Sequence, residues 1–143
     1  MSRYLTPLLI VAALYVGWDH FNGMRDAQAI SSARNEIVAS AFRDQRSGLQ
    51  VSGTGVVDRV LSDDNDGSRH QRFILRLSSG QTLLVAHNID VAPRIAALEE
   101  GDTVAFNGVY EWNAKGGVVH WTHRDPSGQH EAGWLKHNGE TYQ

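Results

Sequence analysis

The sequence predicts a mainly β fold: a five-stranded OB-fold-like barrel with one short helix between strands three and four, preceded by an N-terminal hydrophobic helix and an amphipathic helix. Three observations predict it. An apolar run opens the chain, helical periodicity follows, and from Gln50 onward β-branched and aromatic segments alternate with turn signals. At 143 residues the chain has room for one domain and a short appendage, and a domain of that size buries a core without cross-links.

The first element is Tyr4–Trp18, an apolar stretch preceded by the single cation Arg3, which is the layout of a secretory leader. The run is shorter than the roughly 20 residues that span a bilayer comfortably. The small-x-small site Ala27-Gln28-Ala29 lies well beyond it, so residues 1–20 are expected to be either a signal peptide or an uncleaved anchor with Trp18 at the interface. Either reading places the following domain in the periplasm, anchored to an inner membrane through residues 4–18 or secreted past it. Residues 21–48 are expected to be a helical stalk, with Ile30, Ala33, Ile37, Val38, Ala41 and Phe42 at helical spacing and a stop near Gly48.

Residues 49–143 form the predicted barrel. Its strands are Gln50–Leu61, His70–Ser78, Gln81–Ile89, Asp102–Asn113 and Gly116–His123, with Val91–Glu100 as the short helix, closed by Gly101. A tight hairpin centred on Ser79-Gly80 puts Phe73, Leu75 and Leu77 on the core face with Thr82, Leu84 and Ala86. The outer face then presents His70, Arg72, Ile74 and Arg76 beside Leu83, Val85 and His87.

Composition narrows the function classes. There is no cysteine, which excludes disulfides, thiolate metal sites and cysteine nucleophiles. Residues 50–143 carry eight Lys and Arg against twelve Asp and Glu, the wrong balance for generic phosphate-backbone binding. The mixed basic and apolar face on strands two and three therefore points to a smaller or oligomeric anionic ligand, with His70, Arg72, Arg76 and His87 as contacts. Trp112 and Trp121 are candidates for stacking a base or sugar.

Six of the seven histidines fall between residues 70 and 137, most densely in the spacing H-x-x-H-x-D-x-x-x-x-H. Imidazole and carboxylate are the ligands that a cysteine-free site offers to zinc or manganese, which makes His120, His123, Asp125 and His130 candidate ligands. On a strand His120 and His123 point to opposite faces, so a joint site needs the strand to end between them. The loop Ser62–Arg69 resembles a calcium loop, but Ser62 and Phe73 stand where an EF-hand requires acids. No P-loop, nucleophile elbow or Rossmann fingerprint is present.

The phrases Leu61-Ser-Asp-Asp-Asn-Asp-Gly-Ser-Arg-His-Gln-Arg-Phe73, Val85-Ala-His-Asn-Ile-Asp-Val-Ala-Pro-Arg94, Tyr110-Glu-Trp-Asn-Ala-Lys-Gly-Gly-Val-Val-His-Trp-Thr-His-Arg-Asp-Pro126 and Gly133-Trp-Leu-Lys-His-Asn-Gly-Glu-Thr-Tyr-Gln143 resemble an uncharacterised bacterial family, domain of unknown function 3465. The resemblance implies short exported or anchored proteins and no particular activity. Three expectations follow for function: an anion-binding module, a metal-dependent hydrolase acting on phosphodiesters, or a structural envelope module that docks on another protein.

Overall fold

The computed structural model describes residues 5–143; Met1–Tyr4, with Arg3 of the predicted leader, lie outside the described residues, as do the side chains of residues 5–11 and 13. The chain divides into two compact units, Met1–Ser31 and Ser32–Gln143. One helix, α1 (Leu5–Arg43), takes the place of the two expected. Gly23 is the only helix breaker between the two stretches, and one interior glycine costs about 1 kcal/mol, too little to end a helix alone.

In the first unit Leu14, Tyr15, Val16, Trp18, Phe21, Met24 and Ile30 are all exposed. Among the described residues no helix is long and apolar enough to cross a membrane. In the second unit α1 buries Asn35, Val38, Ala39 and Ala41, while Ile37, expected on the packed face, is exposed. Asn35 replaces a strand residue in its hydrogen bonding: Nδ2 donates to the Thr54 carbonyl at 2.9 Å and Oδ1 accepts from the Thr54 amide at 3.1 Å. The helix stops before Gly48, in a cap where Gln45 takes a left-handed φ of 54°. The Arg46 amide reaches the Ala41 carbonyl at 2.9 Å and the Gln45 amide the Phe42 carbonyl at 3.2 Å, satisfying carbonyls that the helix end would orphan.

The expected five strands are present as β1 (Leu49–Val60), β2 (His70–Leu77), β3 (Thr82–Asn88), β4 (Thr103–Glu111) and β5 (Val118–His120), followed by a hairpin beyond these five, β6 (Trp134–His137) and β7 (Glu140–Tyr142). The first five close into a barrel in the order β1-β2-β3-β5-β4, with β4 pairing back to β1. Neighbours are antiparallel except β3 and β5, which run parallel. Inside lie Val51, Val57, Phe73, Leu75, Leu77, Leu83, Val85, Val104, Phe106, Tyr110 and Val119, joined by Val38 of the helix and Leu135 of β6.

Two expectations are corrected. Residues 91–100 are turns and bends, not a helix between strands three and four. Pro93 lacks an amide to donate, and the backbone of Ile95 is taken by a side chain instead. Gln71, buried on β2, accepts from the Ile95 amide and donates to the Ile95 carbonyl, both at 2.9 Å. Ile95 itself is then pinned in the core.

The second correction concerns the β2–β3 hairpin. Its loop has three residues, not two: Leu77 pairs with Gln81 through a 2.9 Å bond, and Gly80 takes a φ of 84°. This is the three-residue turn that ends in a left-handed glycine. The extra residue moves β3 by one position, and a one-residue slip exchanges its faces. Arg72 thus faces Ala86 and Phe73 faces Val85. Leu83, Val85 and His87 are buried, and Thr82, Leu84 and Ala86 turn outward.

Candidate functional site

His87 is consequently not a surface ligand. It is fully buried, with Nδ1 2.8 Å from the Thr122 hydroxyl and Nε2 3.0 Å from the Pro93 carbonyl. A carbonyl only accepts, so Nε2 carries the proton and Nδ1 accepts from Thr122. Burial pushes the imidazole down to about 4, so it stays neutral where most proteins work. His87 ties β3 to the 91–95 segment and to the chain just after β5.

The candidate site lies directly outside this residue. On the outer face of the barrel Arg72 of β2 stands opposite Ala86 of β3. Continuing the β3–β5 register brings His120 level with Ala86. A row Arg72, Ala86, His120 therefore crosses three strands, and two strand spacings set its ends roughly 10 Å apart. The small Ala86 leaves a floor, over which lies a groove of about 350 Å³ that is also lined by His70, Asp64, Glu111 and Val118. A second hollow of about 270 Å³ begins at the same two histidines, His70 and His120, and runs on past Asn88 to Trp121, His123 and Asp125.

The electrostatics of the row set Arg72 apart. Arg69, Arg76 and Arg94 are ion-paired to Asp90, Asp58 and Asp63. Arg72 makes no ion pair among the described residues; its Nε donates to the Ser62 carbonyl at 3.0 Å, which leaves the terminal nitrogens for a ligand. Asp58 comes from the bulge in β1 between Val57 and Arg59, so the pairing of Arg76 is built into the strand. His70 Nδ1 lies 2.7 Å from the Ser68 carbonyl, to which it donates, so in the neutral ring Nε2 is the free acceptor. His123, only 5% exposed, is held the same way by the Arg124 carbonyl at 2.7 Å. His120 Nε2 is shielded from solvent without a hydrogen bond, 3.6 Å from Glu111 Oε1.

The histidine-rich stretch occupies its place for a topological reason. β5 and β6 both pair with the same edge of β4, β5 through Val109–Glu111 and β6 through Val104–Asn107. Continuing the register of β5 would bring Thr122 opposite Asn107, where Trp134 stands instead. Twelve residues are therefore inserted into one interrupted strand. The excursion begins at Trp121, which takes a left-handed φ of 54°, a conformation that costs a bulky residue energy and gathers at functional sites. It closes where the Gly133 amide meets the His123 carbonyl at 2.9 Å. A Cβ on Gly133 would sit 1.8 Å from the Trp121 carbonyl oxygen, so only glycine fits the neck.

Within the excursion Asp125 is committed to the loop. It accepts from the amides of Ser127, Gln129 and His130 at 2.7–2.9 Å and from the Ser127 hydroxyl at 2.8 Å. The amide and hydroxyl of Ser127, then the amides of His130 and Gln129, hold its carboxyl down to about 2. His130 stacks on Trp121 with ring centres 4.4 Å apart. Of the four predicted metal ligands, His120, His123 and Asp125 line one hollow, and His130 stands behind Trp121. Among the described residues no three His, Asp or Glu side chains are gathered as a zinc or manganese ion requires.

The remaining predicted residues lie elsewhere. Trp112 donates from Nε1 to the Phe42 carbonyl at 3.1 Å and packs on the core beside the helix end. Asp63 holds Arg94, and Asp64 forms a bridge with His70 that folds the β1–β2 loop back over β2. Sequence reasoning did not single out Ala86, Glu111 or Asn88. Their signal was weak, because an alanine and an asparagine on a strand acquire meaning only once the register is known. Residues 24–143 match the family described as "Protein of unknown function (DUF3465)". No curated protein matches the chain.

Proposed function

Starting from the chain's membership of the DUF3465 family of unknown function, we propose that it is an OB-type binding module, exported or tethered so as to face the periplasm, which holds an anionic group over Ala86 between Arg72, His70 and His120. The strand order β1-β2-β3-β5-β4 with return to β1 supports the OB reading, since a five-stranded Greek-key barrel is its description and the strand two and three face its usual ligand surface. The apolar run behind Arg3 supports export.

One observation carries the ligand class: among the described residues Arg72, which lines the groove, has no carboxylate partner, while Arg69, Arg76 and Arg94 are paired. A guanidinium with open terminal nitrogens offers a planar fork to a phosphate or carboxylate. Trp121 at the end of the second hollow adds an aromatic wall for the body of the ligand. The test is a titration of inorganic phosphate, sulfate and a nucleoside monophosphate, followed by amide chemical shifts. Binding is expected at the amides of β2, β3 and β5, weakened about tenfold or more in Arg72→Ala, in line with the roughly 1.5–3 kcal/mol of a charged hydrogen bond. Arg76→Ala should leave it unchanged. Equal binding by wild type and Arg72→Ala would sink the proposal.

A further inference from the structure

Resting on that reading of the groove, we infer that the site is equipped to cleave a ribonucleotide phosphodiester by transfer to its own 2′-hydroxyl, with His70 as general base, His120 as general acid and Arg72 on the phosphoryl oxygens. His70 and His120 are the two residues common to both hollows, so they flank the place where the groove over Ala86 meets the hollow that ends at Trp121. The two imidazoles are set up differently. The Ser68 carbonyl takes the Nδ1 proton of His70, which leaves Nε2 as an acceptor. His120 turns its shielded Nε2 towards Glu111 at 3.6 Å, so Nδ1 is the nitrogen available to a substrate.

That asymmetry is what the reaction needs. The 2′-oxygen attacks the adjacent phosphorus, and an O2′–P bond forms as the P–O5′ bond breaks. His70 Nε2 takes the 2′-hydroxyl proton, and doubly protonated His120 gives the proton on Nδ1 to the departing 5′-oxygen. The products are a 2′,3′-cyclic phosphate and a free 5′-hydroxyl, and water restores the two protonation states. Charge that builds on the equatorial oxygens falls to Arg72. Glu111 is a positioning residue that orients His120. Trp121 offers a face on which a base stacks. A site for one or two nucleotides is compatible with an acidic domain, because it takes its affinity from a single guanidinium and a stacking ring and not from a basic surface.

The experiment uses the full chain in EDTA with uridylyl-3′,5′-adenosine as substrate and its 2′-deoxy analogue as a binding probe. The expected result is release of adenosine and uridine 2′,3′-cyclic phosphate, with the deoxy analogue bound and not cut. His70→Ala and His120→Ala, purified identically to control for traces of ribonuclease, should each lower the rate about 100-fold or more, the usual reach of a general acid or base. Glu111→Gln should lower kcat with little effect on KM. The rate should pass through a maximum with pH, since one imidazole must be neutral and the other protonated. The charged groups facing them are Arg72 on β2, Asp64 in the β1–β2 loop, Glu111 on β4, and His123 and Asp125 in the excursion.

If either alanine variant fails to fold, as judged by near-ultraviolet circular dichroism, His70→Gln and His120→Gln replace them. Arg72-dependent binding of the deoxy analogue without cleavage of the ribonucleotide overturns the chemistry and leaves the anion site standing. Absence of both overturns the two readings together. Cleavage that survives in both histidine variants, or that EDTA abolishes, also overturns the inference.

Discussion

His87 shows how one side chain converts burial into a pH dependence. Its imidazole is held near 4 in the folded barrel against about 6.5 in an unfolded chain. Below pH 6.5 the unfolded state takes up a proton that the folded state refuses, so stability falls as pH drops from 6.5 towards 4 and is unaffected by this group above 6.5. The full effect is of order 3 kcal/mol for this buried ring. Urea midpoints measured between pH 4 and 8 should show that decline in wild type and a shallower one in His87→Gln, which does not titrate there. Gln45 offers a change of opposite sign. It sits in the left-handed position of the helix cap with its side chain exposed, so Gln45→Gly should raise stability by about 1 kcal/mol in the same assay.

At the scale of elements the β2–β3 hairpin carried the most consequence, and it marks the limit of what the sequence made legible. Five strands and their approximate bounds could be read from β-branched runs between turn signals, because alternation is a local property. The register could not, since Ser78-Ser79-Gly80 reads equally well as a two-residue or a three-residue turn, and that single residue decides whether His87 is a ligand or a core group. The 91–100 segment misled for a related reason. Its Ala, Leu and Glu content favours a helix, while the Gln71 side chain that captures Ile95 lies twenty-four positions away in sequence. The same remoteness hides β6, whose four residues pair with β4 about thirty positions away in sequence. Of the candidate site, His70, Arg72, His120 and Trp121 were legible by residue type, whereas the meeting of the first three around Ala86 depended on two registers. Gly80 has open space around it and a φ of 84°, so Gly80→Ala isolates backbone strain. A loss of about 1–2 kcal/mol is expected in thermal or urea unfolding, and no loss would mean that the turn is not of the assigned type.

For the molecule as a whole, the hydrophobic core of the second unit begins, among the described residues, at Val38, with Asn35 buried just before it. A chain beginning at Ser32 should therefore unfold cooperatively with a stability within about 1 kcal/mol of the full protein, since it keeps Asn35 and the whole hydrophobic core. A loss of several kcal/mol on calorimetry would show that the preceding helix contributes to the barrel. The interrupted strand bears on how this architecture can vary. Because the neck between Trp121 and Gly133 is closed by its own backbone bond, the chain leaves the barrel and re-enters it at neighbouring points. The barrel thus works as a socket and the residues between His123 and Gly133 as an exchangeable insert: a longer, shorter or severed excursion would alter what meets the ligand without re-registering a single strand of the wall.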